Sequence, residues 1–163
     1  MKITALSLSI AIALSPLASS AVELPKRPVL TATVAEAITK AAIAECAKSE
    51  TVVSVSVVND QGRLVYFQRG DGTGANTIHT SFRKAYTSAS LKIPTSVLNQ
   101  APEAEGYSQL GKMEDDILLL TGGLPIFHDG ALIGAIGLSG APDPNIEEGC
   151  GEVGIKQVMD AGE

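Results

Sequence analysis

Residues 79–87 read HTSFRKAYT and hold the side chains best suited to bind a charged ligand. At helical spacing, His79, Arg83 and Tyr86 fall on one stripe, and Lys84 falls on a second stripe beside it. An imidazole near the start of a helix, with cations one turn later, suits a ligand that has anionic groups and a metal centre. Polar stripes are also ordinary on solvated helix faces, so the spacing alone leaves both interpretations open.

A second candidate is the pair of glycine-rich segments at 122–126 and 134–140. Glycine inside a strand often marks a position that a ligand or another backbone approaches closely. These segments therefore predict close packing of a helix, a second subunit or a flat ligand, and packing by a helix of the same chain explains them equally well.

The sequence lacks the signatures of the commoner enzyme and metal sites, namely G-x-S-x-G, C-x-x-C, H-E-x-x-H and a P-loop. Its two histidines, His79 and His128, are too far apart in sequence to form a local metal-ligand pair. His128 stands just before Asp129-Gly130, which predicts an exposed turn residue. Without an activated nucleophile, hydrolysis is disfavoured.

Two β-hairpins and three long helices are expected to position these residues. β-Branched runs and turn residues predict strands over 51–58, 63–69, 124–127 and 131–139. Apolar spacing predicts helices over 33–48, 77–91 and 144–160, the first of them opened by a Thr33–Glu36 capping box. The glycines of the last helix predict close backbone packing there. This order predicts an α+β domain with an antiparallel sheet, in which one strand beyond the hairpins would make about five.

The first residues of the chain match a cleavable signal peptide. Lys2 precedes an apolar run over Ile3–Leu14, and small residues at 18–21 provide a cleavage site. The run is shorter than the roughly 20 residues that span a bilayer as a helix. We predict cleavage after Ala21, a periplasmic or secreted location, no membrane span, and one domain over 22–163.

The charge of the chain argues against nucleic acid as a partner. The formal net charge is −6 at pH 7, and cleavage of the predicted signal peptide removes one further lysine. An acidic protein is repelled by phosphate backbones, and the densest basic spot is only Arg83-Lys84.

Cys46 and Cys150 each fall on the apolar stripe of a predicted helix. In an exported protein they favour a disulfide, provided that the two helices are neighbours. Two unpaired buried thiols are the alternative.

Six segments of the sequence, in this order, resemble the GlcG/HbpS-like family, which is often described as haem-binding or haem-degrading. The resemblance covers about Leu30 to Asp160. The segments are VVNDQGRLV at 57–65, RGDG at 69–72, RKAYT at 83–87, GGLPI at 122–126, DG at 129–130 and IGAIGLSG at 133–140.

The resemblance implies a profilin-like fold, a homo-oligomer and, in some members, a bound haem or related tetrapyrrole. It also implies the exported branch of the family, because one cysteine lies in the first helix and one in the last. The resemblance indicates a pocket near Lys84 and the GGLPI segment but names no axial ligand. His79 is the expected haem-iron ligand because imidazole binds haem iron strongly, with Tyr86 as the substitute. Arg83 and Lys84 would pair with the haem propionates, and Gly123 would line the same pocket.

The resulting expectation is an exported haem-binding protein that scavenges, stores or senses haem, with slow haem degradation as an open question. The alternative is an enzyme or accessory protein that acts on small hydroxy or keto acids, since members of this family also serve glycolate utilisation. A third interpretation is a partner module for a membrane sensor.

Overall fold

The structure is a computed structural model that describes residues 22–100 and 107–162. The predicted signal peptide at 1–21 lies outside these residues. The elements, in chain order, are α1 (Ala32–Ala47), β1 (Ser54–Asn59), β2 (Leu64–Gln68), α2 (Thr77–Leu91), α3 (Thr95–Gln100), β3 (Gly123–His128), β4 (Ala131–Ser139) and α4 (Pro144–Met159), with 3-10 turns at Tyr107–Lys112 and Asp160–Gly162.

The four strands form one antiparallel sheet with the order β2-β1-β4-β3. The α+β prediction is confirmed, but the prediction of about five strands is wrong for the described residues. The apolar segment Ile117–Leu120 runs beside α2 instead of joining the sheet. The N–H of Leu118 donates to Thr87 Oγ1 at 2.8 Å, and the Arg83 guanidinium donates to the Ile117 carbonyl at 3.0 Å. Side chains of α2 thus satisfy the backbone groups that a neighbouring strand would have paired.

Both hairpins form where the sequence predicted them. Asp129 and Gly130 have φ angles of 49° and 74°, the two positive values that a type I′ turn requires. In the first hairpin, Asn59 Oδ1 accepts the N–H groups of Gln61 and Arg63 at 3.0 and 2.9 Å. Short-range turn chemistry therefore sets both registers.

Helices cover both faces of the sheet. Along β1, Val55 and Val57 face α1 and α4 in the main apolar core, while Ser54 and Ser56 face α2. This alternation follows from the two-residue period of a strand. The face toward α2 is built from small residues, which lets that helix lie close to the sheet.

Helix α1 begins earlier than the predicted capping box. Its N-cap is Thr31, whose Oγ1 accepts the Val34 N–H at 3.3 Å. Thr33 lies inside the first turn, so the prediction of a Thr33 cap is wrong. The residue before the cap, Leu30, is buried in the core and anchors the chain at this point.

A disulfide joins α1 to α4 through Cys46 and Cys150, whose Cα atoms are 5.4 Å apart. The two helices touch at Gly154, where an added Cβ would stand 2.8 Å from the Ala42 Cβ. The predicted cross-link is confirmed, because the helices that carry the two cysteines are neighbours.

Candidate functional site

Helix α2 carries most of the residues that the sequence singled out, but it directs them to two different environments. His79 is exposed, whereas Arg83 and Tyr86 are half-buried along the outer side of the helix. Lys84 is turned inward and is only 3% exposed. The predicted stripe of His79, Arg83 and Tyr86 therefore exists as a surface, and Lys84 is separate from it.

The outer surface of α2 adjoins the first hairpin. The Tyr86 ring covers Gly62, where an added Cβ would stand 2.7 Å from the ring. The Phe82 and Tyr86 ring centroids are 6.1 Å apart. Arg83 donates to the Ile117 carbonyl, and its buried Nε has no partner in the described part of the chain. This surface combines aromatic area with one cation and one imidazole.

Lys84 forms a buried ion pair with Glu147, which is 2% exposed. The Lys84 ammonium also donates to the Leu138 carbonyl at 3.0 Å. Glu147 Oε1 accepts the N–H groups of Gly140 and Ala141 at 2.8 and 3.0 Å. A haem propionate bound to Lys84 would lie close to the Glu147 carboxylate, whose negative charge disfavours a second anion there.

Gly122 makes room for this ion pair. An added Cβ there would stand 2.8 Å from Glu147 Oε2 and 3.0 Å from Lys84 Nζ. Its φ of +115° also disfavours a side chain. Position 122 therefore favours glycine for two reasons, the space taken by the ion pair and the positive φ angle.

Gly123 and Gly137 accommodate α2 itself. An added Cβ at Gly123 would stand 2.3 Å from the Lys84 carbonyl oxygen, and one at Gly137 would stand 2.1 Å from the Ser81 carbonyl oxygen. Of the three interpretations that the glycine-rich segments left open, helix packing within the chain accounts for both positions. The role of Gly123 in lining a ligand pocket stays a prediction.

An apolar cavity of about 300 Å³ lies beside His128, away from α2. Its walls come from the chain before α1, the start of α1, β4 and the end of α4. The aliphatic and thioether side chains that line it include Leu30, Val34, Ile133 and Met159. His128 is exposed at the end of β3, as the sequence predicted, and it forms part of the rim.

Sequence reasoning passed over two residues that the structure makes prominent. Glu147 lies 63 residues from Lys84, so no local spacing could have paired them. His128 was interpreted as a turn residue only, because the apolar walls beside it come from segments distant in sequence.

Within the described residues, no group of three or more histidine, cysteine or acidic side chains could hold a metal ion. Nor does any helix there have the length and apolar character needed to cross a bilayer.

The fold is that of a small α+β domain, with a four-stranded antiparallel sheet between helices. The family model described as haem degrading protein HbpS-like matches residues 30–156. This chain therefore belongs to the HbpS-like family.

Relatives agree with this assignment. A 15.0 kDa uncharacterized protein from the dhaT-dhaS intergenic region of Citrobacter freundii is 31% identical over 113 residues, which are 68% of this chain and 80% of that protein. A double mutant of Streptomyces reticuli HbpS is 32% identical with a TM-score of 0.78, over 90% of this chain and 98% of that one. The PduOC–haem complex shares the fold, with a TM-score of 0.72 and 23% identity over 78% of this chain and 94% of that one.

Proposed function

We propose that this protein binds haem or a related tetrapyrrole outside the cytoplasm, for scavenging, storage or sensing. Membership of the HbpS-like family over residues 30–156 carries the proposal. The PduOC relative, which was solved with haem, supports it as an example of haem on this fold. Homo-oligomer formation and contact with a membrane sensor stay predictions of the resemblance.

The residues present fit the requirements of haem at two places. Haem needs an apolar surface for its macrocycle, an axial ligand for iron and partners for its propionates. On α2, His79 offers an imidazole, Phe82 and Tyr86 offer aromatic area, and Arg83 offers a cation. Beside β3, His128 stands at the rim of the apolar cavity that also contains Met159.

The cavity supports His128 more strongly than the sequence did, because a macrocycle edge needs apolar walls as well as an iron ligand. His79 is exposed on a helix surface and does not line the cavity beside His128. When bound, haem supplies its own redox and ligand-binding chemistry, and these residues hold and shield it.

Haemin titration of the wild type and of the variants His79→Ala and His128→Ala tests the proposal. We expect a saturable shift of the Soret band in the wild type. We expect the shifted band to persist in His79→Ala and to be lost or displaced in His128→Ala, because the His128 imidazole lies at the rim of an apolar cavity.

The two variants act as controls for each other, since each removes one imidazole from an exposed position. Loss of the shifted band in His79→Ala alone would instead indicate a haem site on the outer surface of α2. A wild-type protein that leaves the haemin spectrum unchanged would contradict haem binding altogether.

A further inference from the structure

A polar cavity of about 350 Å³ lies on the inner side of α2, separate from both candidate haem surfaces. It is bounded by the first half of α2, the end of β4 and the first turn of α4. The buried ion pair of Lys84 and Glu147 lines it, together with Thr80 and Ser139. Buried charged groups at a cleft are common where a protein binds or transforms a small molecule.

The Lys84 ammonium has one N–H left for a ligand. Of its three N–H groups, one is bonded to the Leu138 carbonyl and one to Glu147, and no further acceptor bonds it within residues 22–100 and 107–162. Because the lysine lines the cavity, the remaining N–H is available to an acceptor placed there. Glu147 is held by Gly140 and Ala141, which keep the pair in position.

Ser139 supplies a second unpaired polar group. Its side chain is 5% exposed, and it pairs in register with Ser54, so both face α2. The Ser54 hydroxyl bonds Thr77 at 2.8 Å, whereas the Ser139 hydroxyl bonds no group in the described part of the chain. Because Ser139 lines the cavity, its hydroxyl is open to a molecule bound there.

The charge of the cavity selects among small ligands. Lys84 and Glu147 neutralise each other, so a bound carboxylate would add an unbalanced negative charge close to Glu147. An uncharged molecule with oxygen atoms avoids this repulsion. Leu120 and Pro144 give the cavity an apolar side that suits a short carbon skeleton.

We propose that this cavity binds a small uncharged hydroxycarbonyl compound, whose carbonyl oxygen accepts from Lys84 and whose hydroxyl bonds Ser139. The proposal is independent of haem binding, because it rests on the inner side of α2 and needs neither histidine. It also separates two chemistries, since the hydroxy and keto acids expected from the alternative interpretation carry the charge that the cavity disfavours.

Titration of the ¹⁵N-labelled, disulfide-bonded protein with hydroxyacetone tests the proposal by NMR. The amides of Gly140 and Ala141 report on the cavity because both bond Glu147. We expect saturable shifts at these amides and none at Gly130, which lies in the distant turn of the second hairpin. Glycolate, the matched anion, should bind at least tenfold more weakly.

Two variants remove one hydroxyl each from the cavity. Ser139→Ala should weaken hydroxyacetone binding about tenfold, which corresponds to about 1.4 kcal/mol. Thr80→Val, at a half-buried position, provides a second test if Ser139→Ala disturbs the fold. Ser90→Ala is the matched control, because Ser90 is an exposed hydroxyl farther along the same helix, and it should bind as the wild type does.

The proposal would be overturned by the absence of saturable shifts at Gly140 and Ala141 or by tighter binding of glycolate than of hydroxyacetone. Unchanged affinity in both Ser139→Ala and Thr80→Val would overturn it as well. None of these outcomes depends on the Soret band, so failure here and failure of haem binding are distinguishable.

Discussion

Lys84 and its neighbour Arg83 show how one position along a helix changes the role of a cation. Arg83 lies on the outer side of α2 and bonds a backbone carbonyl of the 117–120 segment. Lys84 points inward and forms an ion pair with Glu147. Successive residues of a helix are rotated by about 100°, so two adjacent cations that read as one basic spot in the sequence lie in two different environments.

The variant Lys84→Met tests the importance of the buried ion pair. Removing one partner leaves Glu147 buried without its counter-charge, so we expect the free energy of unfolding to fall by about 3–5 kcal/mol. Chemical denaturation followed by circular dichroism measures the change.

The exposed pair Lys40–Glu36, four residues apart on α1, provides the control. Lys40→Met should leave the free energy of unfolding close to that of the wild type, because exposed pairs of this kind contribute little. Equal effects of Lys40→Met and Lys84→Met would contradict the role assigned to the buried pair.

At the scale of elements, small side chains on the neighbouring sheet allow α2 to pack close to it. Serines, an alanine and a glycine of the sheet face this helix. The helix backbone lies so close that an added Cβ at Gly137 would clash with the Ser81 carbonyl oxygen. Sequence reasoning predicted the span of α2 correctly, because that depends on local apolar spacing. It left open what packs on the glycines, because that depends on residues far along the chain.

Gly137→Ala should displace α2 and lower the free energy of unfolding by roughly 1–3 kcal/mol. The added methyl would clash with backbone atoms, which cannot rotate out of the way as a side chain can. Circular dichroism during denaturation measures this loss. A shift of the Gly140 and Ala141 amides would report the accompanying movement at the polar cavity.

Gly149→Ala is the matched control, because an added Cβ there meets nothing within 4 Å. It lies within α4, so alanine should raise stability by about 0.5–1 kcal/mol. The expectation that the glycines of α4 pack closely holds for Gly151 and Gly154 but is wrong for Gly149. A gain in stability from both Gly137→Ala and Gly149→Ala would contradict the packing described for α2.

For the whole molecule, the disulfide ties the two ends of the domain together. Cys46 and Cys150 are 104 residues apart in sequence, and α1 and α4 cover the same face of the sheet. A cross-link that closes so long a loop restricts the unfolded chain strongly.

The double variant Cys46→Ser/Cys150→Ser should lower the free energy of unfolding by about 2–5 kcal/mol. Denaturation of the oxidised wild type, the reduced wild type and the variant measures it, and the reduced wild type should resemble the variant.

In the protein recovered after export from the full chain, mass spectrometry should show the loss of residues 1–21 and no free thiol. Two reactive thiols in that folded protein would contradict the cross-link.

Sequence alone determined the hairpins, the long helices and the α+β class, because each of these follows from interactions between residues close along the chain. The likeness that pointed to the HbpS-like family was also carried by short segments in order. The signal peptide and the haem-iron ligand stay predictions.

Only the tertiary structure decided the inward direction of Lys84, its partner Glu147 and the two cavities. It also decided that residues 117–120 follow α2 instead of adding a fifth strand. Each of these depends on contacts between groups that are dozens of residues apart, and the spacing of residues along a chain carries no information about which distant segment will supply the partner. His79, Arg83 and Tyr86 could be grouped from the sequence because one helix holds all three, whereas the cavity at Lys84 needs α2, β4 and α4 together.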